Sequence, residues 1–378
     1  MKKCMLIALI TIFSVLVSGA LCLAQFDRSV TNTSQKGSLL VWPLIQWDSV
    51  HFKDTVIKIS NDYYTSVDIK CFVRKFPCDS IDFGFTLTPN QEISFLVSTG
   101  QGLDGRDIPR DIGAIGPLLR DGQKGELKCW AVDSETCSGD NANPGQQIAY
   151  NWLSGDAIII EGVNQHWEYS AYRFKVNPPA TTCSPAGDPG QILLTGNAGN
   201  YDACPTALLF SILNQAPGTV QAPTVPASPY PTGTVNNVIT LVPCKQDFVD
   251  NNDSTVYAEF LYTDENEISH SNHWTCVGCE TNEWFSENLL SSKLHNGPIF
   301  LTTPSGSIYI HGIKKDSSCP NSVGVPLLGV SSMQFFSNTG PFAGETPTLV
   351  GPGQAYIRDA SDNATSKVNT TNPVFIGW

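Results

Sequence analysis

The chain has 378 residues, enough for two or three domains, and combines 41% hydrophobic with only 15% charged residues. Its 31 Gly and 25 Pro are too frequent for a helical bundle and too aperiodic for collagen. The formal net charge of −13 argues against the basic surface that nucleic-acid binding requires, so we expect no nucleic-acid partner.

The N-terminus has the organisation of a secretory signal peptide. Two lysines precede an uncharged apolar run at 5–18, and Cys22 and Ala24 satisfy the small-x-small cleavage rule. We therefore expect a signal peptide at 1–24 and a mature chain that begins at Gln25. A membrane anchor and a lipidated Cys22 are the alternatives. No later apolar run approaches the ~18 residues of a helical span, so we predict no transmembrane helix in the mature chain.

Cysteine usage supports export. Two of the 12 cysteines leave with the signal peptide, and an even number remains, which in an exported chain indicates disulfides. Reduced buried thiols are the alternative. The predicted disulfide cysteines are Cys71, Cys78, Cys129, Cys137, Cys183, Cys204, Cys244, Cys276, Cys279 and Cys319.

Short sequence separations suggest which cysteines pair. The predicted local bridges, each across a turn or loop, are Cys71–Cys78, Cys129–Cys137 and Cys183–Cys204. The other four cysteines then pair among themselves. For Cys276 and Cys279 we predict at least one partner outside the CVGC unit, because a bridge between cysteines three apart constrains the unfolded chain little.

Alternation with a period of two dominates the first half of the chain. Val67, Ile69 and Cys71 alternate with Asp68 and Lys70, which is typical of a strand with one face in a core and one in water. Turn signals such as SNDYYTS separate such runs at short intervals. The predicted strands lie at 38–46, 54–60, 67–73, 81–87, 93–97, 125–132, 156–162 and 167–176. This spacing favours a sandwich of two antiparallel sheets.

The second half resumes the pattern after a Pro-rich stretch. Proline density across 179–235 disfavours both helix and ladder, so we predict an irregular connection there. Within it, CPTALLFSIL at 204–213 is too short to assign from periodicity. Further strands are predicted near 238–244, 256–262, 298–302, 307–313, 324–335 and 353–358, with a helix candidate at 284–294.

The predicted fold is therefore mostly β. Two antiparallel β-sandwich-like domains, Ig-like or jelly-roll-like, are joined by a Pro-rich connection. The predicted boundaries are 25–178 for the N-terminal domain, 179–235 for the connection and 236–378 for the C-terminal β domain.

Several blocks resemble a group of uncharacterised secreted bacterial proteins. The blocks are KGSLLVWPLI, DTVIKISNDY, DFGFTLTPNQEISFLVSTGQG, GELKCWAVD and ITLVPCKQDF, and they occur in the same order over most of the mature chain. The resemblance implies a β-rich extracytoplasmic protein. It implies no activity, because that group has no assigned catalytic or binding residue to carry over.

Two segments carry candidate metal ligands. In HSNHWTCVGC, His270, His273 and the two CVGC cysteines stand three apart, and imidazole and thiolate ligate zinc. An oxidising compartment and the lack of two separated ligand pairs argue for structural disulfides instead. Ca²⁺ is the other candidate, because carboxylate and amide oxygens cluster nearby, although Asp and Asn are also turn residues. The acidic residues in question are Asp247, Asp250 and Asp253.

Three catalytic motifs are absent from the sequence: there is no G-x-S-x-G, H-E-x-x-H or P-loop. Eight Trp and eleven Tyr can supply stacking platforms for sugars, but we expect Trp42, Trp130 and Trp167, which lie in predicted strands, to fill the core.

The favoured function is a non-enzymatic structural or binding role for an exported protein that is secreted, periplasmic or at the cell surface. A cell-surface polysaccharide and another envelope protein are the candidate partners. A secreted carbohydrate-active hydrolase with a loop-borne site is the alternative. Exposed aromatics beside a carboxylate pair in a cleft would favour the hydrolase.

Overall fold

The computed structural model describes residues 29–75, 78–103, 116–133, 146–162, 165–178, 182–186, 191–213, 233–244, 255–264, 266–278, 281–285, 305–313, 319, 326–337, 348–354 and 374–375. Over these ranges the protein is all-β, with several antiparallel sheets and no helix. No helix long and apolar enough to cross a bilayer is therefore found in the described ranges.

The strands follow one another in chain order. They are β1 (Leu39–Trp47), β2 (Lys53–Asn61), β3 (Val67–Lys75), β4 (Asp79–Leu87), β5 (Glu92–Leu96), β6 (Gln123–Val132), β7 (Leu153–Glu161), β8 (Gln165–Ser170), β9 (Tyr172–Phe174), β10 (Gln191–Ile192), β11 (Leu208–Leu213), β12 (Gly233–Pro243), β13 (Val256–Asp264), β14 (Ser269–Val277), β15 (Thr281–Phe285), β16 (Ser305–Ile313), β17 (Leu327–Ser337), β18 (Thr348–Gln354) and β19 (Val374–Phe375).

These strands form four main sheets. The first half contains a five-stranded sheet in the order β4-β3-β6-β1-β9 and a four-stranded sheet in the order β5-β2-β7-β8. The second half contains two four-stranded sheets, β11-β16-β13-β14 and β15-β12-β17-β18. The short strands β10 and β19 pair with each other. Every pair of named strands is antiparallel, as alternation predicted.

One core lies between the two sheets of the first half. Alternate residues of β3, among them Ile69 and Val73, face this core together with Ile57 of β2 and Ile159 of β7. The Trp42 ring fills the space over Gly155, where a Cβ would lie only 2.4 Å from a ring carbon. A similar core joins the two sheets of the second half. Whether each pair of sheets folds as an independent domain stays a prediction.

A third core links the two halves. The face of the five-stranded sheet that points away from the first core is also buried, and it packs against Val242 and Leu328 of the second half. The Tyr172 hydroxyl donates a hydrogen bond of 2.6 Å to the Gly329 carbonyl across this junction. Burial raises the pKa of this hydroxyl well above its ordinary range. The halves therefore share buried apolar and polar contacts.

The stretch 179–235, predicted as an irregular connection, contains regular structure in part. The run at 204–213 contains strand β11, which pairs with β16, so a sheet of the second half begins before the predicted boundary at residue 236. Ile192, Leu194 and Tyr201 of the same stretch are buried in the core between the halves. These apolar residues of the stretch are therefore part of the folded core.

The helix candidate at 284–294 is wrong at its start. Its first two residues, Trp284 and Phe285, belong to strand β15, which pairs with β12. Residues 286–294 lie outside the described residues, as do the signal peptide at 1–24 and the predicted strand at 298–302.

The predicted local disulfides are wrong. The bridges between described cysteines are Cys71–Cys129, Cys204–Cys244 and Cys276–Cys319. Cys78 and Cys183 are also disulfide-bonded, whereas Cys137 and Cys279 lie outside the described residues. Cys244 is bonded to Cys204, so the prediction that it pairs with Cys276, Cys279 or Cys319 is also wrong. The Cys276–Cys319 bridge places the partner of Cys276 outside the CVGC unit, as predicted.

Strand register explains why Cys71 bonds to Cys129. The two residues are direct partners on β3 and β6, with their Cα atoms 4.1 Å apart, and both are fully buried. Cys71 stands four residues before the end of β3, so its Cα lies about 13 Å from that end at ~3.3 Å per residue. Cys78 lies in the turn after that end, and a disulfide tolerates a Cα separation of only ~7 Å, so Cys71 cannot reach Cys78.

Candidate functional site

The residues predicted as metal ligands do not form a metal site in the described part of the chain. Asp247, Asp250 and Asp253 lie outside the described residues. His270 and His273 lie on β14, opposite Tyr262 and Phe260, and the His270 ring stacks on Tyr262 at 5.8 Å. Among the described residues no group of three or more His, Cys, Asp or Glu is arranged to hold a metal.

The zinc hypothesis for HSNHWTCVGC also fails on the state of a sulfur. Cys276 is bonded to Cys319, so its sulfur is not a thiolate ligand. Cys276 pairs with Tyr257 and His273 pairs with Phe260, and the ladder between these pairs is regular. Because Cys276 and His273 are three residues apart on one strand, their side chains lie on opposite faces of the sheet. A bulge between Phe260 and Tyr262 changes the register before His270.

The strand tryptophans are core residues. Trp42, Trp130 and Trp167 are 0%, 1% and 5% exposed, which confirms that they fill cores and do not form a sugar platform. Trp130 stacks on Phe72 with their ring centroids 5.4 Å apart, on the buried outer face of the five-stranded sheet.

A different group of aromatic side chains reaches the surface at one end of the first pair of sheets. We call Tyr63, Tyr64 and Trp152 the aromatic cluster. Tyr63 stacks on Trp152 with centroids 4.9 Å apart and an interplanar angle of 18°, and Tyr64 lies 4.1 Å from Tyr63. Tyr63 and Trp152 are half-buried against the first core, whereas Tyr64 is 71% exposed. The cluster therefore presents one open ring on a packed base.

Strand ends bring these residues together. Tyr63 and Tyr64 follow the end of β2, and Trp152 immediately precedes β7, the antiparallel neighbour of β2. The Asp62 amide donates a 3.1 Å hydrogen bond to the Trp152 carbonyl, which ties the turn after β2 to the start of β7. Because both segments are tied to the same sheet edge, the relative position of their rings is set by backbone pairing.

Buried polar groups hold the turn that carries the tyrosines. The fully buried Asn61 side chain donates to the carbonyls of Thr65 (2.8 Å) and Thr88 (3.0 Å), and its Oδ1 accepts from the Tyr63 amide. The Tyr150 hydroxyl donates to the same Oδ1 at 3.0 Å, and its ring meets Tyr63 edge-on at 5.7 Å. Such a network orders the turn before any ligand arrives.

One ion pair stands beside the cluster. The Lys36 Nζ lies 3.0 Å from Asp62 Oδ2 and 5.7 Å from the centroid of the Trp152 ring. The Ser154 hydroxyl donates to the same Asp62 oxygen at 3.3 Å. A cation over a Trp ring is attracted by the negative face of the ring. The ammonium and carboxylate are both partly exposed, so a donor and an acceptor are offered next to the rings.

Two tyrosines at this site have shifted pKa values. A hydrogen bond with the Tyr63 side chain raises the pKa of Tyr64 above its ordinary value. Burial raises the pKa of Tyr150, although its hydrogen bonds with Thr65 and Asn61 oppose the rise. Both phenols therefore remain protonated donors at neutral pH.

The opposite end of the same sheets carries a different exposed feature. Strands β1 and β2 belong to different sheets, and an antiparallel bridge between Asp48 and Lys53 closes the turn at residues 49–52 that joins them. We call this turn the hairpin tip, and Val50 is 75% and Phe52 67% exposed in it. Asp48 accepts hydrogen bonds from the amides of Val50 and His51, both at 3.0 Å, and pairs with the His51 ring. Burial raises the pKa of Asp48, but these bonds and the His51 charge outweigh it and leave the pKa below its ordinary value.

The second half exposes a flatter polar surface. On the outer face of the β11-β16-β13-β14 sheet, His311 Nε2 lies 3.0 Å from Glu259 Oε2, and the Tyr309 ring centroid lies 5.5 Å from that of His311. Trp274 is the other strand partner of Glu259. This surface holds an acid–base pair on a regular sheet, with both side chains about one-third exposed.

No family model and no curated protein matches this chain. SNDYYTS is predicted as a turn from the sequence, whereas the aromatic cluster is not predicted. Adjacent tyrosines in a turn and a Trp just before a strand were the available signals, at 63–64 and 152. Apolar periodicity predicts residues within strands, so it does not identify aromatic residues that lie just outside them.

Proposed function

We propose that this chain is an exported, non-enzymatic binding protein and that the aromatic cluster is its contact surface for a component of the cell envelope. Export is supported by the signal-peptide pattern of the N-terminus and by three disulfides between described cysteines, which are typical of oxidising compartments. The resemblance to secreted bacterial proteins points the same way.

The observation that carries the proposal is the exposed Tyr64 ring on an ordered base. Large aromatic side chains are expensive to expose in water, and Tyr and Trp are enriched where proteins bind ligands because one end is apolar and the other polar. Here the base is fixed by Asn61 and Tyr150 beneath it. The arrangement is that of a preformed contact surface, which loses little conformational entropy on binding.

The hydrolase alternative has weaker support at this surface. Glycoside hydrolysis ordinarily requires two carboxyl groups that flank the scissile bond, about 5–9.5 Å apart. Asp62 is the only carboxylate among the described residues that make up the cluster and its ion pair, and it is engaged with Lys36 and Ser154. Binding without turnover is therefore the function that this geometry supports best.

The test is envelope binding by the purified mature chain. We expect it to co-sediment with envelope fractions of the source organism, and we expect Tyr64→Ala to lower the bound fraction while Phe52→Ala at the hairpin tip leaves it unchanged. Release of reducing sugar from the same fractions by the wild type, above that of a heat-inactivated sample, would instead establish the hydrolase. Equal sedimentation of all three proteins would refute the role of the cluster.

A further inference from the structure

The shape of the aromatic cluster restricts the chemistry of its ligand. Tyr63 and Trp152 are stacked on each other, so the face that each turns toward the other is occupied. Tyr64 is the ring that remains widely open, at 71% exposure. A single open ring of about six carbons matches a small rigid ring in the ligand better than a long apolar chain, which would need a continuous groove.

The polar groups sit at the edge of the rings. Lys36 supplies a donor and Asp62 an acceptor, 3.0 Å apart, and the Ser154 hydroxyl lies on the same carboxylate. A pyranose has the complementary arrangement: a face of C–H groups that packs on an aromatic ring, and hydroxyls around its edge that both donate and accept. Neighbouring hydroxyls of one sugar can bridge an ammonium and a carboxylate at this separation.

The charges disfavour acidic ligands. The Lys36 ammonium is already neutralised by Asp62, so the site has no unpaired cation among its described residues. The whole chain carries a formal charge of −13, and it becomes two charges more negative if the predicted signal peptide and its lysines are removed. A polyanion is therefore repelled over the distance of a Debye length, and a neutral polymer is not.

We propose that the aromatic cluster binds neutral polysaccharide, with the Tyr64 ring under a pyranose face and the Lys36–Asp62 pair on its hydroxyls. This inference rests on the proposed binding function and narrows it to one ligand class. A polymer suits a single-ring site because its many equivalent sugar residues raise the probability that one of them occupies the site.

The experiment is isothermal titration of the purified mature chain with soluble polysaccharides. The neutral probes are a β-1,4-glucan, an α-1,6-glucan and a mannan, and the acidic probe is polygalacturonate at the same residue concentration. We expect binding to at least one neutral probe and none to the acid. Tyr64→Ala is expected to weaken the neutral interaction at least tenfold, Tyr64→Phe less than threefold because the ring remains, and Phe52→Ala not at all.

The outcomes separate this inference from the function on which it rests. Neutral binding that Tyr64→Ala leaves unchanged would overturn the assignment of the site, provided that the variant unfolds at the same denaturant concentration as the wild type. Tyr64-dependent binding of polygalacturonate would overturn the charge argument. Tyr64-dependent envelope sedimentation without affinity for any neutral probe would overturn the ligand class, for example in favour of an envelope protein, and leave the binding function standing.

Discussion

The two ends of the first pair of sheets both expose large side chains on ordered supports, yet they are built differently. At the cluster end, the turn after β2 displays Tyr64 above a stacked pair of rings and a fully buried asparagine. At the hairpin end, the tip displays Val50 and Phe52 above a loop that Asp48 holds with hydrogen bonds to its own backbone. The cluster end is supported by buried aromatic and amide side chains, whereas the hairpin tip is supported by hydrogen bonds within its own turn and by those of Ser49 to the exposed Asp121.

This difference indicates where binding specificity can arise. The hairpin tip also carries an acid–base pair, Asp48 and His51, but among the described residues no aromatic ring packs against its exposed Phe52. It can therefore contribute apolar area but no stacked aromatic face. The cluster end joins an aromatic face to the Lys36–Asp62 pair, and polar groups in fixed positions are what discriminate between ligands. Since its supports reach into the core, damage to them should affect both folding and binding.

The largest effect is expected from the core support of the cluster. Tyr150→Ala removes a fully buried ring together with its hydroxyl, so we expect the free energy of unfolding to fall by about 3–5 kcal/mol. Phe52→Ala at the hairpin tip is expected to change it by no more than about 0.5 kcal/mol. Urea unfolding followed by circular dichroism measures both. Similar losses for the two variants would contradict the contrast between the ends.

Loss of one buried hydrogen-bonding side chain at each end should lower the free energy of unfolding by less than Tyr150→Ala does. Asn61→Ala at the cluster end and Thr55→Val at the hairpin end each remove hydrogen bonds from a fully buried side chain, so we expect about 1–3 kcal/mol in both cases. The two variants should differ in near-ultraviolet circular dichroism, because Asn61 holds the Tyr63 amide. An unchanged aromatic signal in Asn61→Ala would show that the rings are ordered without it.

The two ends should respond to opposite extremes of pH. The lowered pKa of Asp48 gives stability that is present above its ordinary value of 3.8 and is lost as the pH falls through the folded-state value. The raised pKa of Tyr150 has the opposite consequence: stability is lost as the pH rises past its ordinary value of 10.0, where the unfolded chain ionises first.

Matched variants isolate these two groups. The stability difference between wild type and Asp48→Asn should vanish as the pH is lowered well below 3.8. The difference between wild type and Tyr150→Phe should shrink as the pH is raised above 10.0, while that of Asp48→Asn stays constant there. Denaturant titrations at each pH provide the measurement, and pH-independent differences would refute the assignments.

The smallest effect on folding is expected from the surface ion pair. Lys36→Met should lower the free energy of unfolding by no more than about 1 kcal/mol, because both partners are partly exposed and solvent screens them. The methionine keeps an unbranched side chain without the ammonium. If the proposed ligand site is correct, affinity for the neutral polysaccharide should nevertheless fall several-fold, as measured by the same titration. A stability loss of several kcal/mol would show instead that Lys36 is part of the fold.

Sequence alone was informative wherever apolar residues recur with the two-residue period of a strand. Alternation located β2, β3 and β4 within a few residues, because a strand with one face in a core must alternate. The predicted range 125–132 also lies within β6, although both faces of that strand are buried. Burial of Trp42, Trp130 and Trp167 followed from the same pattern, because large aromatics within strands are most stable in a core. These features depend on residues that are close in the chain, so they can be predicted from the sequence.

Tertiary structure decided the features that depend on residues distant in the chain. Cys71 bonds to Cys129 because strand pairing places them opposite each other 58 residues apart, which no local separation predicts. The aromatic cluster joins 63–64 to 152 because β2 pairs with β7. Register and strand order arise from the packing of whole sheets, and a one-residue shift would separate these partners. The sequence therefore determined most strands of the first half and the faces that they turn to the first core, whereas sheet assembly determined the buried outer face of the five-stranded sheet, the disulfides and the candidate site.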